Sequence, residues 1–325
     1  MINALARRLA RRLARRVALL ALAAAASGQA QTAAPGALWW PGFIDARGKA
    51  FLELPDDARL CGLARDALRR VAGQTGRSAG EPGSVIPLPL KVETLLPRGA
   101  RLAFGVIDTE GIASEHVMTR VVTITRGTDK GACAHLAEAG ADAPGYSVEE
   151  DRTAFGVHPL RPLVFRAPLD AWRSFGAAGT TGNADGRFAA AADAPPAWRA
   201  QVTPLPGAPL EIFGQRFAAV LGKDASAQHL TLVGAIAQTP EYSTLNLIAR
   251  DGTAGTLYQA GPSGGFEKNR NGSFAAQVLG AIDLDGDGID EIVLRARYYS
   301  GGSLKVLRYS GGKLLEVRSS AYEGE

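Results

Sequence analysis

The sequence contains few of the residues that bind transition metals: two cysteines, Cys61 and Cys133, and four histidines among 325 residues. The cysteines form no Cys-x-x-Cys motif and the histidines no His-Glu-x-x-His motif, so the pattern favours neither a zinc site nor a dithiol redox centre. Two cysteines in an exported chain are most simply partners in a disulfide, and we predict a Cys61–Cys133 bond. A pair of buried free thiols is the alternative.

The sequence also lacks an apolar run of the roughly 18 residues that a membrane-spanning helix requires. Six arginines and no acidic residue precede a ten-residue apolar run, Val17–Ala26, and small residues at 28 and 30 suit a signal peptidase. We therefore predict that residues 1–30 are a signal peptide, that the mature chain has no membrane span, and that it is periplasmic or secreted. Leucines at helical spacing between the arginine pairs leave a mitochondrial presequence as the alternative.

The mature chain carries no excess of positive charge. The full sequence has 36 basic and 32 acidic residues, and taking away the six leader arginines leaves 30 against 32. Its net charge is then near −2 rather than +4. This balance removes the main compositional argument for a nucleic-acid partner, and we expect none.

Nine residues near the C-terminus hold five carboxylates, the strongest local signal in the chain. They are Asp283, Asp285, Asp287, Asp290 and Glu291. The spacing Asp-x-Asp-x-Asp-Gly places three carboxylates on one side of a tight loop, in which a glycine supplies a turn that other residues resist. Hard oxygen ligands of this kind favour Ca²⁺. Ordinary turn chemistry between strands is the alternative, although acids this close repel one another without a cation.

The residues after the loop predict a strand rather than the second helix of an EF-hand. Position 12 of the loop, where an EF-hand has a bidentate glutamate, is Leu294, and side chains alternate in character from 292 to 299. The loop therefore joins strand to strand. The stretch 283–294 resembles the calcium loop of FG-GAP and VCBS-type repeats, which occur in propellers and in many exported bacterial proteins.

That resemblance implies a calcium ligand set: the side chains of Asp283, Asp285, Asp287 and Glu291 and the backbone carbonyl of Ile289. The family usually has aspartate where this chain has Glu291, so Asp290 beside it is the alternative ligand. The resemblance covers only a short part of the chain near the C-terminus. It implies a site and a local β fold, not the function of the whole protein.

The second half of the sequence contains a weak internal repeat. Residues 233–237 resemble 279–283, and 247–250 resemble 294–297, at offsets of 46 and 47, which suit one propeller blade. The later copy predicts four strands, at 277–283, 290–299, 303–309 and 313–318, with glycine turns between the last three. The earlier copy has Gln238–Tyr242 in place of the acids and should bind no calcium. Two copies predict an incomplete propeller or two four-stranded units packed face to face.

The fold class that we predict is mainly β, in two domains. Residues 31–173 would form a β-rich domain with one or two helices, at 56–70 and at 131–139. We predict that residues 174–209 are a linker, because they are rich in glycine, alanine and proline. Residues 210–325 would form the calcium-binding β domain.

The function predicted from these features is that of an exported binding or interaction module with a structural calcium. Its partner would be a protein or a glycan, and tyrosines and arginines near the acidic loop are candidate contacts. The alternative is an exported hydrolase with its active site in the N-terminal domain. The Gly-x-Ser-x-Gly match at 261–265 does not support a nucleophile elbow, because no helix signal and no histidine follow it.

Overall fold

Strands dominate the structure, which confirms the mainly β prediction. The computed structural model describes residues 38–75, 85–108, 110–124, 133–141, 152–178, 210–237, 243–251, 255–260, 275–298, 301–320 and 323–324. These all belong to one unit, Gly36–Glu325. The predicted signal peptide lies outside the described residues. Within them, no helix has the length and apolarity needed to cross a bilayer.

The first sheet is built entirely from the N-terminal half. Its strands are β1 (Leu38–Ile44), β2 (Ala50–Glu53), β3 (Val85–Pro87), β4 (Ala103–Asp108), β5 (Ala113–Ile124), β6 (His135–Glu138) and β7 (Arg152–His158). The spatial order is β3-β5-β4-β7-β1-β2-β6, and β6 pairs also with β5. The long strand β5 makes this possible, because its first half pairs with β4 and its second half with β6 and β3. The sheet is therefore strongly curled.

One helix, α1 (Ala58–Thr75), packs against this sheet and confirms the predicted helix. Asp57 precedes its first residue and caps it, since its Oδ1 accepts a hydrogen bond of 2.7 Å from the backbone N–H of Leu60. The helix continues to Thr75, beyond the end at residue 70 that we predicted. The predicted disulfide is confirmed: Cys61 on α1 is bonded to Cys133, just before β6.

The second predicted helix, at 131–139, is wrong. Residues 135–138 form strand β6, held between β2 and β5. His135, Leu136 and Ala137 are all buried, so the segment contacts neighbours on both faces and both edges. A run this short has little helix propensity of its own, and the two-sided pairing decides its conformation.

Two further antiparallel sheets follow. The second sheet has the order β13-β12-β11-β10-β9, and the third has β17-β16-β15-β14-β8, with β18 beside β16. Their strands are β8 (Phe165–Arg166), β9 (Arg173–Ala178), β10 (Leu210–Ala219), β11 (Gln228–Ala237), β12 (Ser243–Arg250), β13 (Thr256–Ala260), β14 (Ala275–Ile282), β15 (Glu291–Tyr298), β16 (Gly301–Ser310), β17 (Lys313–Ser319) and β18 (Glu323–Gly324). The four strands predicted for the last repeat are β14 to β17.

The segments that resemble each other in sequence both lie in antiparallel hairpins, one in the second sheet and one in the third. Val233 of β11 pairs with Leu247 of β12, and the matching pair of β14 and β15 is Val278 with Leu294, next to a bulge. In each sheet the next strand along the chain pairs with the second strand of the hairpin: β13 with β12, and β16 with β15. The segment 238–242, where we expected no calcium site, lies outside the described residues.

The third sheet lies between the other two. One set of its side chains, including Val278, Ile292 and Leu294, shares a hydrophobic core with Phe217 and Ile248 of the second sheet. The alternate set, at 279, 282, 293 and 306, packs against residues 107, 155 and 157 of the first sheet. Burial of both faces explains why Ile292, Val293 and Leu294, which follow Glu291 at the start of β15, are all apolar before the alternation with Arg295 and Arg297.

The segment between the two halves belongs partly to the later sheets. Strand β8 pairs with β14, and strand β9, which contains residues 174–178 of the predicted linker, pairs with β10. Residues 179–209 lie outside the described residues. The domain boundary therefore stays a prediction, but the chain from 165 to 178 already extends the sheets that follow it.

Candidate metal centre

The acidic loop joins β14 to β15, so it connects strand to strand as predicted. Gly286 and Gly288 have φ angles of +81° and +85°, in the left-handed region that residues with a β-carbon rarely adopt. These two glycines turn the backbone tightly between the aspartates. The loop thus has the curled form that the spacing of acids and glycines predicts.

The three aspartates of the loop converge. Asp283, Asp285 and Asp287 each place a carboxylate oxygen within 4.8 Å of the others. This separation is about twice a Ca²⁺–oxygen distance of roughly 2.4 Å, so the three oxygens could contact one ion. Backbone N–H groups fix the carboxylates, since Gly286 and Gly288 donate to Asp283 at 2.6 and 3.0 Å. Similar bonds tie Asp285 to the N–H of residue 287 and Asp287 to the N–H of residue 289.

Glu291 lies behind the three aspartates as the first residue of β15. Its side chain is only 1% exposed, and its Oε2 accepts a hydrogen bond of 2.7 Å from the N–H of Leu284. Burial, followed by the negative charge of Asp285, raises the pKa of Glu291 to about 8. A carboxylate buried beside other acids is costly unless positive charge compensates it.

Asp290 does not join the cluster. It is buried, and its Oδ2 accepts hydrogen bonds from Arg166 Nε at 2.9 Å and from the Val220 N–H at 2.7 Å. Its own N–H donates to the Val220 carbonyl. Asp290 therefore attaches the end of the acidic loop to the ends of β8 and β10, and it is not the alternative calcium ligand that the sequence suggested. The N–H of Ile289 donates to Asp287, which keeps Ile289 within the loop where its carbonyl was predicted to be a ligand.

Arg308 of β16 supplies positive charge from the neighbouring strand. Its Nη1 lies 2.6 Å from Asp285 Oδ2, its Nη2 contacts Asp287 Oδ2, and its Nε lies 3.7 Å from Glu291 Oε1. Burial lowers the pKa of Arg308, but the charge of Asp285 and the hydrogen bond to Asp287 outweigh this, so the net shift is upward. The guanidinium is therefore firmly cationic.

Arg161 reaches the same loop from the first half of the chain. Its Nη2 donates to the backbone carbonyl of Asp283 at 3.0 Å, and its Nη1 lies 3.8 Å from Asp283 Oδ1. It packs so closely that a β-carbon on Gly286 would come within 2.4 Å of Nη1. The φ angle of +81° is what favours glycine at 286, and a β-carbon there would in addition displace the end of the Arg161 side chain from the loop.

The sequence did not predict that either arginine contacts the acids, although Arg308 was among the candidate contact residues near the loop. Arg308 could have been found by pairing the predicted strands, because Ile292 pairs with Leu307 and the next step brings Glu291 opposite Arg308. Arg161 gives no local signal, since it is 122 residues from Asp283 and arrives only through the packing of the first sheet on the third.

The donor set suits a hard divalent ion. When Glu291 is ionised, which a bound cation would favour, the three aspartates and Glu291 contribute four negative charges, and Arg161 and Arg308 contribute two positive ones. The resulting balance of −2 would be neutralised by one Ca²⁺. All side-chain donors are oxygens, which Ca²⁺ prefers to the nitrogen and sulfur ligands typical of zinc. Arg308 already uses one oxygen each of Asp285 and Asp287, so an ion and this guanidinium would compete for the same carboxylates.

Comparisons of the chain with protein-family models, with curated proteins and with solved structures returned no match. The resemblance of the acidic loop to FG-GAP and VCBS-type repeats therefore depends on the motif and its strand-to-strand setting alone.

The other predicted sites have different outcomes. Two residues of the predicted tyrosine–arginine contact surface are engaged within the protein. Arg308 faces the acidic loop, and Tyr309 accepts a hydrogen bond of 2.9 Å from Arg250. Tyr299 and the glycine-rich stretch 261–265 lie outside the described residues. Both cysteines are used in the disulfide, so neither offers a thiolate to a metal.

Proposed function

We propose that the protein is an exported β protein that binds one structural Ca²⁺ in the loop 283–291 and acts as a binding or interaction module. The observation that carries the proposal is the convergence of Asp283, Asp285 and Asp287 within 4.8 Å, with buried Glu291 behind them. An ion there would contact these side chains and the carbonyl of Ile289, as the resemblance implies. Its contribution would be electrostatic: it neutralises the acids that otherwise repel one another.

The position of the loop supports a structural role for the ion. The loop connects two central strands of the sheet that packs against both others, and Asp290 fastens its end to β8 and β10. Ordering this loop therefore stabilises the meeting point of several strands. An ion that binds only the folded state adds stability that grows with its concentration, about 2.7 kcal/mol at 100 times the Kd.

Export is supported by the disulfide. Cys61 and Cys133 are bonded, and such bonds persist mainly in oxidising compartments. Together with the predicted signal peptide, this supports a periplasmic or secreted location. The partner would be a protein or a glycan. The edge strand β17 exposes Leu315 and Val317 by 51% and 48%, which favours a protein partner.

The proposal is tested by calorimetric titration of the mature protein with Ca²⁺ and with Mg²⁺. We expect one Ca²⁺ per chain in the parent and loss of binding in Asp285→Ala. The matched control is Asp224→Ala, which removes an exposed aspartate outside the loop and should leave binding unchanged. Absence of calcium binding by the folded parent would refute the proposal.

A further inference from the structure

Three side chains of the first sheet form a continuous hydrogen-bonded row. Ser114 Oγ lies 2.8 Å from His116 Nε2, and His116 Nδ1 lies 2.7 Å from Glu138 Oε2. A serine bonded to one ring nitrogen and a carboxylate bonded to the other is the arrangement that activates a serine nucleophile. The row is distinct from the acidic loop and shares no residue with it.

The pairing of β5 with its neighbours produces this row. Ser114 and His116 are two residues apart on β5, so their side chains share one face. Met118, two residues further, pairs with Glu138 of β6, which brings the carboxylate one diagonal step from His116. Three strand positions therefore fix the three groups without any loop.

Glu138 is itself held from the next strand. Lys49 Nζ lies 3.0 Å from Oε1, and the Ala50 N–H donates to Oε2 at 3.4 Å. Burial raises the pKa of Glu138, but hydrogen bonds from His116 and Lys49 outweigh it, and the net pKa is below the usual value. The carboxylate is therefore charged at neutral pH.

A charged carboxylate can only accept, and this fixes the tautomer of the imidazole. In the neutral imidazole the proton therefore lies on Nδ1, which donates to Glu138, and the lone pair on Nε2 is the acceptor for the hydroxyl proton of Ser114. His116 is 8% exposed, whereas Ser114 is exposed at the start of the strand. The base is shielded from water, and the nucleophile can meet a substrate.

We propose that Ser114, His116 and Glu138 form a second functional site that hydrolyses carboxylic esters, with Glu138 as a positioning residue. Ser114 Oγ attacks the ester carbonyl carbon while its proton passes to His116 Nε2. The C–O bond to the leaving alcohol then breaks, and His116 returns the proton to that alcohol. Water attacks the acyl-serine with the same proton transfers and releases the carboxylic acid.

Ile112, two residues before Ser114 in the sequence, is 46% exposed, and for this reason we choose an ester with a short apolar acyl group as the test substrate. This site gives specific residues to the hydrolase alternative in the N-terminal half. It does not depend on calcium binding by the loop, and either proposal can fail alone.

The test uses the mature, disulfide-bonded chain, a fluorophosphonate probe and p-nitrophenyl butyrate. We expect the probe to label Ser114, as located by peptide mass spectrometry. Labelling and ester hydrolysis should fall at least about a hundredfold in Ser114→Ala and in His116→Gln. The matched control is Ser226→Ala, which removes another exposed serine and should behave as the parent.

The outcomes separate a catalytic row from a structural one. No labelling of Ser114 in the folded parent overturns the proposal, as does equal labelling of the parent and His116→Gln. Peptide mapping in the parent requires no variant, so a misfolded variant does not prevent a decision.

For Glu138→Gln we expect a slower reaction and a shift of the acidic limb of the pH–rate profile to lower pH, because the carboxylate stabilises the imidazolium. A merely structural glutamate would leave that limb in place.

Discussion

Replacement of Arg308 by methionine tests whether this arginine is the internal counterion of the acidic loop. The change removes a guanidinium that lies 2.6 Å from Asp285, contacts Asp287 and lies 3.7 Å from Glu291. In the absence of calcium, one aspartate of the loop would then keep its contact with Arg161, but these three carboxylates would have lost the guanidinium beside them. We therefore expect the metal-free protein to be less stable and the calcium-loaded protein to be nearly unaffected.

The size of the expected loss of stability follows from the solvent exposure of the Arg308 side chain. Arg308 is 36% exposed, so each ion pair is discounted for solvent screening to about 1 kcal/mol or less. Two close pairs and the restored repulsion give a loss of about 2 kcal/mol in free energy of unfolding. For a chain of this size, that loss corresponds to a fall in Tm of about 3 °C.

Calcium affinity should move in the opposite direction. Repulsion between the positive charge of Arg308 and a Ca²⁺ ion about 5 Å away costs roughly 1.5 kcal/mol, even at the dielectric constant of water. Removing Arg308 also frees one oxygen of Asp285 and one of Asp287 for the ion. We therefore expect R308M to bind Ca²⁺ about tenfold more tightly than the parent.

The assay is thermal unfolding in EDTA and in excess Ca²⁺, together with calorimetric titration. Lys305→Met is the matched control, because it removes one positive charge from the same strand away from the loop. It should leave calcium affinity close to that of the parent. An R308M protein whose Tm in EDTA and calcium affinity both equal those of the parent would refute the counterion reasoning. Should R308M be unfolded in EDTA, addition of calcium should refold it.

Three further predictions concern other parts of the chain. Replacing Cys61 and Cys133 by alanine opens a link across 72 residues and should lower the free energy of unfolding by about 2 to 4 kcal/mol in urea titrations, whereas an unchanged midpoint would contradict a constraining role. Gly286→Ala forces a β-carbon to within 2.4 Å of Arg161 at a φ of +81°, so calcium affinity and Tm should both fall; Gly255→Ala, where the site is open, should change neither. Glu138→Gln should destabilise the protein by about 1 to 3 kcal/mol at pH 7. Because the folded pKa of Glu138 is depressed, this difference should shrink as the pH falls below the usual pKa of about 4.5, and a difference that does not decrease on acidification would contradict the assignment.

The elements that the sequence predicted are those encoded by neighbouring residues. Alternation and glycine turns marked β14 to β17, and the acid–glycine spacing marked the loop that joins the first two of them. The periodicity that predicted α1 was likewise local, and Asp57 caps its start. The segment 131–139 failed because its pattern was too short to distinguish a helix from a strand, and pairing with β2 and β5 decided the outcome.

The sequence by itself determined that five carboxylates would share one bend between two strands, and that two cysteines were available to pair. Only the tertiary structure decided which acids face one another. It turned Asp290 away to Arg166 and brought Arg161 and Arg308 onto the loop. It also aligned the serine, histidine and glutamate of the first sheet. Local patterns follow from bond geometry and turn chemistry within a few residues. The contacts of Arg308 and of His116 with Glu138 depend on strand register across 21 and 22 residues, and those of Arg161 and Arg166 depend on sheet packing across 122 and 124 residues.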